Sequence, residues 1–420
     1  MDSPSIAQVL RDDATYIASY QHIAELPLVV KSAHGSYLVD VAGKEYLDFT
    51  SGACTMSLGY DPIPTGDFGS FPFPYATGVA QVAYAKALAQ HYPAPVAVKV
   101  GFGICGSEAN DGAIKLCRAY TRRKKIVSFS GDYHGTTFGA VSLTTIPGRI
   151  SNKFDPLLPE VYILPFCAQT ASKEEIDHCL NSIAALDYST IAGFIVEPVQ
   201  GDMGMLPIHP QLMQALYALC QQYGIALVVD EVQMALGRTG KFFSIENYPG
   251  VIPDAIVMGK TIGGGIPLSA ILGKAEFMDS LGPCEHAFSM AGTSEACARG
   301  LQLLHMLEQP KFQAGLQERC TLLLQGLRTL QERHPAVVSQ ITGLGYAFAL
   351  WLKSNQALLD DNEATRRVIS RCFANGLYLM RLGANWLRIE PQFNIALSDL
   401  KRGLEIIDLA LSDLESGRLN

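Results

Sequence analysis

The stretch Asp254-Ala-Ile-Val-Met-Gly-Lys-Thr-Ile-Gly-Gly-Gly265 sets a short apolar run directly before a lysine and a glycine-rich loop. A run of this length and composition reads as a strand buried on both faces of a parallel sheet. Ligands of such sheets bind just beyond the carboxyl ends of the strands, which puts Lys260 at a binding rim. An amine held there and partly desolvated has its charged form disfavoured, and the neutral amine can form a Schiff base with an aldehyde. A solvated loop, where most lysines sit, is the alternative setting for the same residue.

Two more apolar runs end in ionisable residues. Ile191-Ala-Gly-Phe-Ile-Val196 runs into Glu197-Pro198, and Ile225-Ala-Leu-Val-Val229 runs into Asp230-Glu231. A helical pattern over residues 210–223 closes on Gly224 between them, as helices commonly do. Strand–helix alternation of this kind predicts an α/β fold with a mainly parallel sheet, so that Glu197, Asp230 and Lys260 converge on one crevice. An acid facing a Schiff-base lysine points to pyridoxal phosphate, whose ring nitrogen needs a carboxylate partner to act as an electron sink. Asp230 is the candidate partner; a helix N-cap at the strand exit is its alternative role.

A phosphate needs a cradle, and Cys105-Gly-Ser-Glu-Ala-Asn110 supplies one before the helical stretch 111–120. Gly106 permits close backbone approach, Ser107 adds a hydroxyl, and unpaired amides at a helix start favour an anion. An ordinary serine cap is the other reading of the pair. Lys125-Ile-Val-Ser-Phe129 leads into Gly131-Asp-Tyr-His-Gly135, where Tyr133 either covers a flat ring or packs in the core.

In this order the blocks resemble the class III pyridoxal-phosphate-dependent aminotransferases of fold type I. The likeness rests on Gly106-Ser-Glu-Ala-Asn110, Tyr133-His-Gly135, Glu197-Pro-Val-Gln-Gly201, Asp230-Glu-Val-Gln233, Gly237-Arg-Thr-Gly-Lys241, Gly259-Lys-Thr-Ile-Gly-Gly-Gly265 and Leu387-Arg-Ile-Glu-Pro391, spread over nearly the whole chain. The resemblance implies pyridoxal 5'-phosphate as cofactor. It implies Lys260 as Schiff-base lysine and proton shuttle, Asp230 at the ring nitrogen, Gln233 at the phenolic oxygen, Tyr133 stacked on the ring, and Gly106 with Ser107 on the phosphate. Arg388 matches the arginine that grips a substrate carboxylate, or else is a surface ion-pair arginine, and Glu197 and Asp202 lie on the substrate side. The resemblance also implies a homodimer with shared active sites, in which Ser289 stands where the partner's phosphate-binding threonine is usual.

Departures from the family pattern bear on the reaction. Leu58-Gly-Tyr-Asp-Pro62 and the stretch through Phe71-Pro-Phe-Pro-Tyr75 differ from the usual substrate-side loop, and Thr293-Ser294 replaces the usual Asn-Pro. Gln200-Gly-Asp-Met-Gly204 carries Asp202 where dual-substrate aminotransferases commonly carry glutamate, and it is similar to the family's racemase and epimerase subgroup. The sequence therefore puts aminotransfer from a small amino acid to a 2-oxo acid first. Racemisation or epimerisation through Lys260 and a second acid/base is the alternative.

Composition sets outer bounds. A chain of 420 residues that is 48% hydrophobic can bury a large core, and it has no apolar run long enough to span a membrane. The start Met1-Asp-Ser-Pro-Ser-Ile lacks the features of a signal peptide, so a cytoplasmic location is expected. The 10 cysteines are scattered and read as reduced thiols, and no histidine spacing suggests a metal. A net charge of −8 argues against nucleic-acid binding. Three parts are expected: residues 1–59 in a small α+β domain, 60–295 in the large cofactor domain, and 296–420 as a connecting helix plus the rest of the small domain. Val41-Ala-Gly-Lys44 reads as a hairpin turn, and the amphipathic stretch 397–411 reads as a core-facing helix.

Overall fold

The computed structural model describes residues 5–18, 26–64, 77–146, 153, 155–353, 360–381 and 385–418, the side chains of 360–362 excepted. The stretch 71–75 and its flanks lie outside the described residues. Two compact units emerge: one of 1–62, 314–342 and 348–420, the other of 63–313 and 343–347.

The larger unit is built on seven strands: β1 (Val98–Gly103), β2 (Lys125–Phe129), β3 (Val161–Leu164), β4 (Ile191–Val196), β5 (Ala226–Asp230), β6 (Ala255–Met258) and β7 (Ser269–Lys274). Their spatial order is β1-β7-β6-β5-β4-β2-β3. The neighbours from β6 through β3 pair in parallel, and β7 runs antiparallel between β6 and β1. Central strands β4, β5 and β6 are buried at every residue, whereas edge strands β1 and β3 are partly exposed. Both faces of the centre are therefore covered, which is why those strands are continuous apolar runs and not alternating ones.

The helix Gly106–Thr121 packs on this sheet through Ala109, Ala113, Ile114 and Cys117, which share a core with Ile195, Val228 and Val257. Its approach is set by Gly193 in β4, where an added Cβ would lie 2.5 Å from Cys117 Sγ and 3.2 Å from the Ala226 carbonyl oxygen. The helix Ser294–Glu308 also belongs to this unit, which runs on to Gln313, past the boundary at residue 295 drawn from sequence.

The smaller unit draws on both ends of the chain. Tyr37–Asp40 and Glu45–Asp48 form an antiparallel pair across the 41–44 turn, whose amides at Ala42 and Lys44 donate to Asp40 Oδ1. Leu377–Tyr378 joins Glu45–Asp48 in parallel, tying the carboxy-terminal part to the amino-terminal part. A second sheet contains Val338–Leu344, Ala347–Leu352 and Trp386–Ile389. The helix Leu397–Glu415 buries Leu400, Ile407, Leu411 and Leu414, and its Gly403 is pressed against the Phe49 ring.

The close approach at Gly193 yields a stability prediction. Gly193→Ala should destabilise the protein by about 1–3 kcal/mol through overpacking, read by thermal or urea unfolding. Adding Cys117→Ala should recover part of that loss by removing the opposed sulfur.

Candidate active site

Three strand ends and one helix start converge in the larger unit. Lys260 follows β6, is half-buried, and donates from Nζ to Gln233 Oε1 at 2.5 Å. Its backbone is left-handed, with φ 51°, an uncommon conformation for a residue with a Cβ. An added Cβ at Gly259 would lie 3.3 Å from the Gly106 amide nitrogen, and one at Gly106 would lie 2.6 Å from Val232 Cγ1. Only glycine fits at Gly106, and the lysine is thereby held one residue away from the start of the Gly106–Thr121 helix.

That helix start has the properties of an anion cradle. Its N-cap, Cys105, makes no side-chain capping bond. Ser107 is thus a helical residue and not the cap, and its Oγ accepts from the Thr136 amide at 3.2 Å. Gly135 passes so close that a Cβ there would meet Ser107 Oγ at 2.2 Å.

Asp230 ends β5 with little exposure. Its Oδ2 accepts from Asn110 Nδ2 at 2.7 Å and faces His134 Nδ1 at 2.7 Å, while Oδ1 accepts from the Val232 amide at 2.9 Å. Turns and not a helix follow Asp230, so helix capping does not account for it. His134 Nε2 faces Asp132 Oδ2 at 3.3 Å and Ser128 Oγ at 3.1 Å. Asp132 Oδ1 in turn accepts from Gln200 Nε2 at 2.8 Å. Burial opposes a charge on His134, but Asp132 and Asp230 outweigh it and push its pKa up to about 10.

Glu197 receives the Tyr133 amide at 2.6 Å and the Gly201 amide at 3.3 Å. Burial first, then the charges of Asp132 and Asp230, push its carboxyl well above the usual range. Tyr133 is half-buried beside these groups. Asp202 is buried on the turn after β4, and the preceding Gly201 packs so tightly on Gln233 that a Cβ would lie 2.6 Å from Nε2. Ser289 lies exposed in the segment before Gly292.

Arg388 belongs to the smaller unit and is 1% exposed, so the alternative of a surface arginine fails. Its Nε donates to Glu390 Oε2, two residues along the same chain and therefore on the same side. Sequence reasoning quoted His134, Asn110, Gln200 and Glu390 within their blocks without giving them roles. The Asp132-x-His134 spacing was the available signal for the histidine. Among the described residues no group of three or more His, Cys, Asp or Glu side chains is placed to hold a metal. No described helix is long and apolar enough to cross a membrane.

A model of the class III aminotransferases matches residues 18–411. The chain belongs to the class III aminotransferase family. It is 31% identical to an isoleucine 2-epimerase of Lentilactobacillus buchneri, with 98% of this chain and 96% of that protein aligned. It is 31% identical to a leucine/methionine racemase of Thermococcus litoralis, over 94% of this chain and 92% of the relative. A 5-aminovalerate aminotransferase of Pseudomonas aeruginosa is 32% identical over 92% of this chain and 94% of the relative. A solved aminotransferase of Bacillus anthracis superposes with a TM-score of 0.85 at 26% identity, over 97% of this chain and 98% of that one.

Class III aminotransferases are pyridoxal-phosphate-dependent fold-type I enzymes, and the residues present here fit that cofactor. Gly106 and Ser107 can take a phosphate at an uncapped helix start, Asp230 can face a ring nitrogen, and Lys260 can reach an aldehyde. Gly106→Ala should then weaken binding of pyridoxal phosphate by roughly tenfold, because the new methyl meets Val232 and displaces the helix start. The apo-protein's circular dichroism should be unchanged. Titration of absorbance or fluorescence with cofactor checks this.

Proposed function

We propose that this chain is a racemase or epimerase that exchanges the proton at Cα of a small apolar amino acid. Asp202 carries the reading: it is a buried carboxylate on a turn that packs, through Gly201, on the partner of Lys260. Removing a proton from one face of Cα and returning one to the other takes two groups. Aminotransfer needs only one such group, and under that reading Asp202 would serve as a partner for Arg388. The full-length similarity to an isoleucine epimerase and a leucine/methionine racemase supports the same reading and an apolar substrate side chain.

Pyridoxal phosphate, when bound, supplies the electron sink that acidifies the Cα–H bond. In this reading Lys260 would hold the cofactor through its amine, and its Nζ would be the group that takes a proton from one face of Cα. Gln233 fixes the resting position of that Nζ and would meet the cofactor's phenolic oxygen. Asp230 would pair with the ring nitrogen, Tyr133 would cover the ring, and Gly106 and Ser107 would hold the phosphate. Asp202 exchanges its proton with the opposite face of Cα. Arg388 takes the substrate carboxylate in a bidentate fork, and Glu197 shapes the substrate side through the backbone it organises.

Aminotransfer, ranked first from sequence, remains the second reading, favoured by the aminotransferase relatives. The two separate in one experiment. Purified holoenzyme incubated with L-isoleucine, L-leucine or L-methionine and no 2-oxo acid should form the epimer or D-enantiomer continuously, followed by chiral chromatography. Asp202→Asn should slow this by about 100-fold or more, the usual scale of a lost acid/base, while cofactor affinity stays near that of the unaltered protein. Lys260→Ala should lose both turnover and the visible absorbance of lysine-bound cofactor. Strict dependence on an added 2-oxo acid, with keto-acid release, would establish aminotransfer instead.

The same reading makes the protein a homodimer in which Ser289 of each subunit reaches the other's cofactor phosphate. The exposure of Ser289 within one chain supports it, and closed two-fold dimers are the commonest soluble assemblies. Ser289→Ala should weaken cofactor retention by about 1–3 kcal/mol, the cost of an unsatisfied acceptor. Sedimentation of a fully active monomer would refute the shared site.

A further inference from the structure

We infer that His134 is a positioning residue for the proton chemistry. Held between Asp132 and Asp230, it keeps Asp230 ionised and in place, and Gln200 ties this row of contacts to the turn bearing Asp202. The inference rests on the proposed role of Asp230 at the ring nitrogen.

The geometry is continuous. Gln200 Nε2 donates to Asp132 at 2.8 Å and to the Ser130 carbonyl at 2.9 Å. Asp132 faces His134 at 3.3 Å, and His134 faces Asp230 at 2.7 Å. The His134 and Asp132 side chains are both 0% exposed, and the Asp230 side chain is 4% exposed. The backbone holds the imidazole from either side: the His134 amide donates to Thr144 Oγ1 at 2.9 Å, and its carbonyl accepts from Asn110 Nδ2 at 2.9 Å. With Asp230 at Nδ1, and Asp132 beside the Ser128 hydroxyl at Nε2, both carboxylates favour the doubly protonated ring.

Charge then decides what Asp230 can do. The titratable groups around it come from three strand exits: Asp132 and His134 after β2, Glu197 after β4, and Glu231 beside it after β5. Burial, with the charges of Asp132 and Asp230, raises Glu197 well above its usual range, and burial raises Glu231 to about 7. The row Asp132–His134–Asp230 sets one imidazole between two carboxylates, so a charged imidazole offsets one of them and leaves the other to face a cationic ring nitrogen. Without the imidazolium, Asp132 and Asp230 would be two like charges in a dry site, where both cannot readily stay ionised. Removing the imidazolium therefore weakens Asp230 as an ion-pair partner for a cationic ring nitrogen.

The test uses holoenzymes of the unaltered protein, His134→Gln, Asp132→Asn and the double variant. Loss of the Cα proton, which racemisation and aminotransfer both require, is read from deuterium exchange at Cα of L-leucine in D2O and gives kcat and KM as functions of pH. The visible band of the bound cofactor is titrated alongside. His134→Gln should lower kcat at neutral pH by about 30-fold with KM nearly unchanged, recover as pH rises, and shift the band's pH midpoint by about one unit. The double variant removes one charge of each sign, restores a single anion at Asp230, and should regain about tenfold over His134→Gln.

A His134→Gln enzyme with the original pH profile and band, and only a lower melting temperature, would overturn the inference. So would a double variant that simply compounds the two losses. Should His134→Gln not fold, Asp132→Asn carries the test: kcat is expected about tenfold lower at steady KM, and an unchanged kcat and band would overturn the inference. Asp230→Ala separates the two levels. If it is crippled while His134→Gln is normal, the positioning role alone falls. If Asp230→Ala itself keeps near-normal exchange and band, the role of Asp230 falls, and this inference with it.

Discussion

Dehydrated carboxylates at the exits of buried parallel strands are the constraint around which the site is organised. Asp132, Glu197 and Asp230 are 0%, 6% and 5% exposed, in a region where each oxygen needs a donor. Those donors are backbone amides of the loops together with the side chains of Asn110, His134 and Gln200. Glu197 draws in the amides of Tyr133 and Gly201, Asp132 that of Phe129 at the end of β2, and Asp230 that of Val232. The acids therefore template the loops that present Tyr133, Asp202 and Gln233. A loop fixed in this way can stay ordered at a sheet edge while carrying little apolar contact of its own.

The sheet imposes a second constraint through distance. Gly193 and Gly106 mark places where backbone and side chain meet without room for a Cβ, and at Gly259 a Cβ would crowd the Gly106 amide at 3.3 Å. Together they press the Gly106–Thr121 helix onto β4 and bring its first turn against the exit of β6. The anion cradle and the lysine are consequently set by the same packing that makes the core, so a change in core volume under that helix is felt at the site.

Much of this was legible in the chain because each central strand is a short apolar run ending in a charged residue. Lys260, Asp230 and Glu197 could be placed at one edge from that pattern, and the glycines around Lys260 and Gly106 marked tight approaches. The partnerships were not legible. His134 meets Asp230 across 96 positions and Asn110 meets it across 120, contacts fixed by strand order and not by local spacing. Glu390 was hidden for the opposite reason: two residues from Arg388, it had the right spacing, but its burial is a property of the folded sheet. The unit boundary moved from residue 295 to Gln313 because the Ser294–Glu308 helix follows its packing partners, above all the Val79–Ala89 helix, and the sequence marks no break there.

The left-handed backbone of Lys260 has its own consequence. Such a conformation costs about 1–2 kcal/mol for a residue with a Cβ, and here it is held between Gly259 and the tight turn of Lys260–Gly263. The main chain is thus locked, and the amine moves only as the tip of a four-carbon arm swinging from a fixed pivot. Positions on either side share neither that pivot nor its direction, so a lysine transplanted by one residue would sweep a different volume. The reach of the amine is a property of position 260 and not of the loop as a whole.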